Sequence, residues 1–395
     1  MGFLFTFKSS VKIRVFTNVL PNKERSMKDC KKRFLTLEIR KFLSVLLIFG
    51  ALLIIASGCT EPDPDLNPSN DNDAPHELVL KMNRESGMKI LQFADLHFGI
   101  EGTTYHNADI ERTLCFIDYA IKSEKPDFIV LLGDNMVSQG PDGAKFIVDT
   151  FDKYEIPYAF VFGNHDAEQS SGTHSKQAVS DYLENCGSPY LLYKAGYTQT
   201  DIENRYGNYS ISVRDIDTND LLGAFIIVDT GIYDYVQNRY QSITEGQIDW
   251  YKDEITSLDN VYSGQKNNVH ATVPTITYGH IQLPEFSEAY QKAVNGEGAG
   301  FVYNEHLSKG YLSGILNASG KVNYGFYDAM KELKSAKAYF CGHMHGLKLH
   351  VKMDGIILGF CPQAGVTSIG AKKRTTFSYV ISEDFDIQLN LVTEP

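Results

Sequence analysis

The chain has 395 residues, of which 43% are hydrophobic and 12% aromatic, and a formal net charge of −12. That apolar content is enough for a large buried core in one large domain or two small ones, and no period of about 20 to 50 residues recurs, which excludes a repeat array. Residues 1–58 hold 11 Lys+Arg against 3 Asp+Glu, about +8, so the remainder stands near −20, an acidic surface that argues against nonspecific nucleic-acid binding, which depends on neutralising phosphates.

The first 59 residues read as an export segment. Lys28, Lys31, Lys32, Arg33, Arg40 and Lys41 form a basic stretch, and Phe42 to Ala56 then runs without a charge. Ser57, Gly58 and Cys59 follow, completing the layout of a secretory signal. The run Ala56-Ser57-Gly58-Cys59 resembles the lipobox of bacterial lipoproteins, with Ala56 where Leu is commoner. That resemblance implies lipidation of Cys59 and a lipid-anchored protein of the bacterial cell envelope, facing the periplasm or the surface. An uncleaved anchor is the alternative, although the apolar run is shorter than the ~20 residues of a usual spanning helix. Met27 could be the true start. Residues 60–75 are rich in Pro, Asp and Asn and read as a disordered linker, and residues 76–395 are expected to form the globular domain. Cys115, Cys186, Cys341 and Cys361 could form disulfides in an oxidising compartment, and no CxxC pair points to a zinc-cysteine site.

In chain order, Met88 to Asp95 reads as a strand. The next segment carries Ile110, Leu114, Ile117 and Ile121 at helical spacing. Asp127 to Asp134 reads as a buried strand, Gly143 to Tyr154 as a helix and Pro157 to Asn164 as a strand. In the second half, Leu221 to Thr230 reads as a strand and Glu245 to Leu258 as a helix. Strands follow at Thr272 to His280 and Ser335 to His343, and the tail alternates in the manner of antiparallel strands. The expected fold class is α/β, a sandwich of sheets with helices outside it. The Tyr-rich stretch from Tyr190 to Tyr209 reads as an irregular insertion over the site. Loops at 167–209 and 285–325 are expected to carry substrate choice.

Ligands in α/β sheets gather beyond the carboxyl ends of the strands, and here those ends carry a common chemistry. Asp95 and His97 follow the first strand, Asp134 and Asn135 the second, and Asn164, His165 and Asp166 the third. Two later strands end in Gly279-His280 and in Gly342-His343-Met344-His345. Imidazole and carboxylate suit Fe, Mn and Zn, and a carboxylate can bridge two cations.

DxH, GDN, GNHD, GH and GHxH, in this order and at strand ends, resemble the calcineurin-like metallophosphoesterase superfamily over about residues 88–350. A narrower similarity is to its purple-acid-phosphatase-like branch, including plant proteins named "probable inactive purple acid phosphatase". It rests on Phe93 to Gly99 (FADLHFG), on His280 to Phe286 (HIQLPEF), and on Val228 to Gly231 (VDTG) before a helix with Gln247 to Tyr251. Val137 stands where purple enzymes have Tyr, which implies no purple charge-transfer band. Gln282 replaces a Pro, and Met344 fills a position that is often acidic.

The resemblance implies a four-layer αββα sandwich of two mixed sheets and two divalent or mixed-valence metal ions drawn from Fe, Mn and Zn. One ion would take Asp95, His97, His345 and the shared Asp134; the other would take Asp134, Asn164, His280 and His343. It also implies hydrolysis of a small phosphoester, a monoester in the first reading, by a metal-bridging hydroxide. Two ions less two carboxylates and a hydroxide leave about +1 at the site, attractive to phosphate within an acidic exterior. His165 would protonate the leaving oxygen, Asp166 would orient its imidazole, and Asn135 could contact a phosphate oxygen. A phosphodiesterase on the same site, and a noncatalytic binding lipoprotein of the same fold, are the alternatives. Cys341 reads as a core residue; His174 and His306 are expected to face solvent.

Overall fold

The computed structural model describes residues 77–99, 107–167, 174–199, 205–305, 318–320, 322–365 and 373–395. The export segment, Cys59, the linker, His76 and His306 lie outside the described residues. The strands run β1 (Val79–Met82), β2 (Met88–Phe93), β3 (Phe128–Leu132), β4 (Tyr158–Val161), β5 (Leu191–Leu192), β6 (Tyr197–Gln199), β7 (Arg205–Asp215), β8 (Leu221–Ile227), β9 (Tyr233–Asp234), β10 (Arg239–Tyr240), β11 (Thr275–Tyr278), β12 (Ala299–Asn304), β13 (Ala336–Cys341), β14 (Leu349–Met353), β15 (Ile356–Phe360), β16 (Thr375–Ile381) and β17 (Ile387–Thr393). The helices are α1 (Asn107–Glu124), α2 (Gly140–Phe151), α3 (Lys176–Asn185), α4 (Glu245–Lys266), α5 (Glu285–Asn295) and α6 (Phe326–Leu333).

Two mixed sheets result. The six-stranded sheet has the order β17-β16-β2-β3-β4-β5, with β2 to β5 parallel and β16 and β17 antiparallel at one edge. The nine-stranded sheet has the order β1-β7-β8-β11-β13-β15-β14-β12, with β6 also paired to β7. Its parallel centre is β8, β11, β13 and β15. Sequence pattern follows position: β3, covered on both faces, is apolar and buried throughout, whereas the edge strand β17 alternates, as one-sided burial requires.

The sheets face one another through aromatic contacts. The rings of Phe128 and Phe225 stack at 5.3 Å, and Phe340 meets Tyr379 at 5.1 Å. Outside the first sheet, α1 packs Phe116 and Ile117, α2 packs Ile147 and Phe151, and α3 packs Val179 and Leu183. Outside the second, α4, α5 and α6 contribute Tyr251, Phe286 and Met330 to a second cluster. The expected α/β sandwich with helices on both outer faces is therefore the one found.

Two local expectations need correction. The Tyr190 to Tyr209 stretch is no insertion: it supplies β5, β6 and part of β7, and Tyr193 and Tyr209 are buried in the core. The Tyr209 hydroxyl donates to the carbonyls of Phe160 and Leu192, both at 3.1 Å, so that tyrosine knits strands together. Likewise 285–304 is largely ordered as α5 and the edge strand β12, which pairs antiparallel with β14. Among the described residues no disulfide joins Cys115, Cys186, Cys341 and Cys361, and Cys341 lies in the core as expected. No helix among the described residues is long and apolar enough to cross a membrane.

The interior holds one unusual imidazole. His350 on β14 is fully buried, with its ring 4.4 Å from Phe377 and 5.7 Å from Phe340, and neither ring nitrogen has a hydrogen-bond partner. Burial pushes its pKa down to about 3. Below about pH 6.5 the unfolded chain binds a proton that the folded chain refuses, so this group's contribution is complete above that pH and is lost as the pH falls. Replacement His350→Leu should therefore make the stability lost between pH 7 and pH 5 smaller by about 2 kcal/mol, measured by urea unfolding at both values; an unchanged pH dependence would contradict this account.

Candidate metal centre

The two sheets deliver their ligand-bearing loops to one place. The first supplies Asp95 and His97 after β2, Asp134 and Asn135 after β3, and Asn164 to Asp166 after β4. The second supplies His280 after β11, and His343 and His345 after β13. Asp95, His97, Asp134 and His343 all have left-handed backbones, with φ of 53°, 47°, 51° and 66°. Such φ values are uncommon for non-glycine residues and gather where function holds strain in place. Neighbouring glycines admit the crowding. A Cβ on Gly163 would overlap the backbone nitrogen and Oδ1 of Asp134, and one on Gly133 would fall 2.5 Å from the His280 ring.

Two donor sets meet here. Asp95, His97, Asp134 and His345 form one; Asp134, His280 and His343 form the other; within each, the potential ligand atoms lie within 4.8 Å of one another. Asp134 belongs to both. Its Oδ2 lies 3.1 Å from His280 Nε2 and 3.8 Å from His97 Nε2, while its Oδ1 accepts the His165 backbone N–H at 2.8 Å. His345 Nε2 is 3.3 Å from Asp95 Oδ1 and 3.1 Å from His97 Nε2.

The electrostatics fit a cation site. Asp95 is fully buried, yet neither carboxylate oxygen has a hydrogen-bond donor, and Asn164 Oδ1 is buried in the same condition. Buried charges without partners are very costly unless paired or bound to metal. Burial pushes His97 down to about 4 and His343 down to about 3, which keeps both imidazoles in the neutral form that binds metal. Burial also opposes the charged forms of Asp134 and His280. Their mutual attraction outweighs it, holding Asp134 well below the usual carboxylate range and raising His280 to about 9. Six of the seven predicted ligands thus meet as two overlapping donor sets, and Asn164 is buried between Gly163 and His165, whose backbones lie against Asp134.

The remaining predicted residues divide. His165 stands at the rim, its side chain 38% exposed, with Nε2 4.0 Å from Asp134 Oδ2 and its ring 5.2 Å from that of His97. Asp166 does something other than expected. Its Oδ1 accepts the Met136 N–H at 2.9 Å, and its Oδ2 accepts the Gly163 N–H at 2.7 Å and the Asn135 amide at 3.4 Å. Instead of steering the His165 ring, this carboxylate staples the loop after β4 to the loop after β3. Burial and the nearby Asp134 raise it to about 7. Asn135 is fully buried, and its amide also donates to the Val161 carbonyl at 3.0 Å, while its Oδ1 has no hydrogen-bond partner. His174 is exposed, in keeping with the expectation.

Several supporting contacts escaped the sequence reading. Gln363, Ala364 and Gly365 donate their N–H groups to the carbonyls of His345, Ala94 and Asp95 at 3.0, 2.9 and 3.2 Å, tying the last loop to the first. Tyr240 sets its ring edge-on to His343 at 4.6 Å. The VDTG segment is held by its carboxylate, because both oxygens of Asp229 accept from the buried Lys176 ammonium at 2.9 and 2.7 Å. Gln247 caps α4 with Thr244 and donates to the Asp229 carbonyl at 2.7 Å. Thr230 then accepts the Ile281 N–H at 3.0 Å, beside His280.

A family model described as "Calcineurin-like phosphoesterase" matches residues 88–347. The protein "Probable inactive purple acid phosphatase 29" of Arabidopsis thaliana is 26% identical over 330 residues, 78% of this chain and 77% of that one. "Phosphatase DCR2" of Saccharomyces cerevisiae is 27% identical over 282 residues, 67% of this chain and 45% of that one. A solved structure titled as a dimetal phosphatase from Danio rerio aligns with a TM-score of 0.47 at 12% identity, covering 78% of this chain and 99% of that one.

The shared carboxylate makes a sharp prediction. Asp134→Asn removes the one charged group common to both donor sets, and the purified variant should hold at most one transition-metal ion per chain by elemental analysis where the parent is expected to hold two. Two ions retained in the variant would show that the sets do not depend on this residue.

Proposed function

This chain belongs to the calcineurin-like phosphoesterase family, and on that premise we propose that it hydrolyses phosphoesters with two divalent cations, as a phosphomonoesterase. The observation that carries the reading is the sharing of Asp134 between two donor sets, the arrangement a paired-ion centre needs. When bound, the ions would supply Lewis-acid polarisation of a phosphoryl oxygen and an acidified water as nucleophile.

The chain's own residues would do the rest. His97 and His343 bring neutral donors, His280 and His345 would give up their protons to the ions, and Asp95 and Asp134 bring charge, so a doubly loaded site carries net positive charge within an acidic protein. Asn164 adds an amide oxygen without further charge, leaving its ion a stronger Lewis acid. His165 belongs to neither donor set, and its side chain is more exposed than those of His97, His280 and His345. We assign it the proton delivered to the departing alcohol oxygen. Asp166, by stapling its loop to the loop of Asp134, fixes where that imidazole starts from. Val137 provides no phenolate, so the loaded protein would be colourless in the charge-transfer region. We further propose that Cys59 carries a lipid and tethers the domain to the cell envelope.

A panel of p-nitrophenyl phosphate and bis-p-nitrophenyl phosphate, with Mn²⁺, Zn²⁺ or Fe²⁺, tests the reading: the monoester should be preferred. Preference for the diester would move the assignment to a phosphodiesterase, and binding of two ions without turnover of either ester would move it to a noncatalytic module. His165→Ala should keep the metal content and slow alkyl phosphates by about 10²- to 10⁴-fold, while p-nitrophenyl phosphate, whose leaving group needs no proton, slows far less. Equal slowing of both esters would remove His165 from the acid's role. Cys59→Ser should shift the protein from the membrane pellet to the soluble fraction; unaltered partitioning would exclude the lipid tether.

A further inference from the structure

We propose that Tyr233, Tyr235 and Tyr240 form an aromatic wall beside the metal centre, which selects phosphoesters whose alcohol portion carries an aromatic ring. The proposal rests on the phosphoesterase reading and deepens it by naming a substrate class. Strands β8, β11 and β13 run parallel. The segment leaving the carboxyl end of β8 therefore emerges on the same rim as His280 and His343, where α/β sheets take their ligands. That segment turns at Asp229 and Thr230, whose hydroxyl accepts the Ile281 N–H at 3.0 Å, and then forms the β9–β10 hairpin.

The hairpin sorts its side chains by face. Tyr233 stands opposite Tyr240, and Asp234 opposite Arg239. Opposed residues share a face and neighbours take opposite ones, so the two charges occupy one face and the tyrosines the other. The tyrosine face is the one joined to the centre. Rings follow one another in edge-on contacts: His280 to His343 at 5.3 Å, His343 to Tyr240 at 4.6 Å, Tyr240 to Tyr233 at 4.9 Å and Tyr233 to Tyr235 at 5.0 Å. The series begins at the fully buried His280 and ends at Tyr235, which is 73% exposed. Its members are held in place. The Tyr233 hydroxyl donates to Asn238 Oδ1 at 2.7 Å. At the base of the hairpin, Ile232 N–H donates to Gln241 Oε1, and Gln241 N–H donates to the Ile232 carbonyl, both at 3.0 Å. Aromatic pairs favour such edge-on or offset geometry at about 4.5 to 7 Å between centroids. A substrate ring joined to the phosphoryl group by a short linker would extend the same series, with no charge on that face of the hairpin to desolvate. A single exposed tyrosine needs no function; three in register, leading outward from a candidate metal ligand, make a surface suited to another ring.

The full-length protein loaded with Mn²⁺ is tested first by calorimetry with ethylphosphonate, 2-phenylethylphosphonate and 2-cyclohexylethylphosphonate, which share the anion and differ in what they offer the wall. The parent should bind the phenyl ligand about tenfold more tightly than the ethyl one and about threefold more tightly than the cyclohexyl one. Tyr235→Ala, at an exposed position, should cut the tenfold margin to about threefold or less; Tyr233→Leu should do the same, and Tyr235→Phe should keep the margin. In turnover, the ratio of kcat/KM for 2-phenylethyl phosphate to that for ethyl phosphate should fall by the same factor in Tyr235→Ala, whereas a loss of folding or of metal would lower both esters together. Absence of hydrolysis in the parent, with the calorimetric margin intact, would overturn the enzymatic reading and leave the wall standing. No margin for the phenyl ligand in the parent, whether all three bind equally or none binds, or a margin that survives both Tyr235→Ala and Tyr233→Leu, would overturn the wall. Equal binding of the phenyl and cyclohexyl ligands would overturn its preference for a ring that is aromatic. A dimer that Tyr235→Ala dissociates in sedimentation, with the phenyl margin retained, would give this face to a second copy of the chain instead.

Discussion

The constraint on which this structure turns is the burial of Asp134 and Asp95 within one pocket. Two carboxylates in a desolvated space repel each other, and each loses hydration that no hydrogen bond replaces at Asp95. The protein's internal answer is partial: His280 and His345 are drawn toward the charged form, against the burial that opposes it, by the carboxylates beside them. Cations in the two donor sets would relieve the same imbalance more completely, since each brings two positive charges and takes up the lone pairs left over. The polar interior and the ligand geometry are therefore one problem with one solution.

Assembling that pocket required the backbone to yield. Four of the candidate ligands take left-handed conformations, a local strain that persists only where surrounding structure over-determines it. The surroundings do so from both sheets. Asp166 ties the Gly163 and Met136 turns together, residues 363–365 cross-link the loops of His345 and Asp95, and the Asp95 and His97 N–H groups donate to Gly133 and Asp134 at 3.0 and 2.8 Å. Each ligand thus sits in a loop fastened to the loop of another ligand, and none depends on its own strand alone.

How far the sequence disclosed this follows from what kind of interaction was involved. The ligand set was legible because metal chemistry restricts residue type, and because each donor follows an apolar run whose strand character was plain. The roles of Asp166 and Asn135 were not, since a carboxylate serving an imidazole and one serving backbone N–H groups look alike in a sequence. The bonds from Gln363 to Gly365 are made by main chain and carry only a glycine as signal. The tyrosines from Tyr190 to Tyr209 misled because their aromatic spacing is broken by polar residues; Tyr209 reaches the core by carrying its hydroxyl to two carbonyls. The helix α5 was hidden because its buried face is narrow, with only Phe286 and Ala289 inside.

The motifs that gave no ligand show why site and fold cannot be separated. Asp229 of the VDTG segment is buried with Lys176, an ion pair whose desolvation can cancel its attraction. Its value lies in the number of groups it organises. Beyond Lys176, its carboxylate accepts the Gly231 and Tyr206 N–H groups at 2.9 and 3.3 Å, and its backbone carbonyl accepts from Gln247 and from Arg205 at 2.7 and 3.3 Å. The turn so fixed offers Thr230 to the Ile281 N–H, one residue beyond His280. Loss of that carboxylate would leave a buried ammonium and several N–H groups without acceptors, a cost far above that of a missing surface ion pair. The chain thus invests a buried charge in the second sheet so that its first histidine meets the carboxylate held by the other sheet.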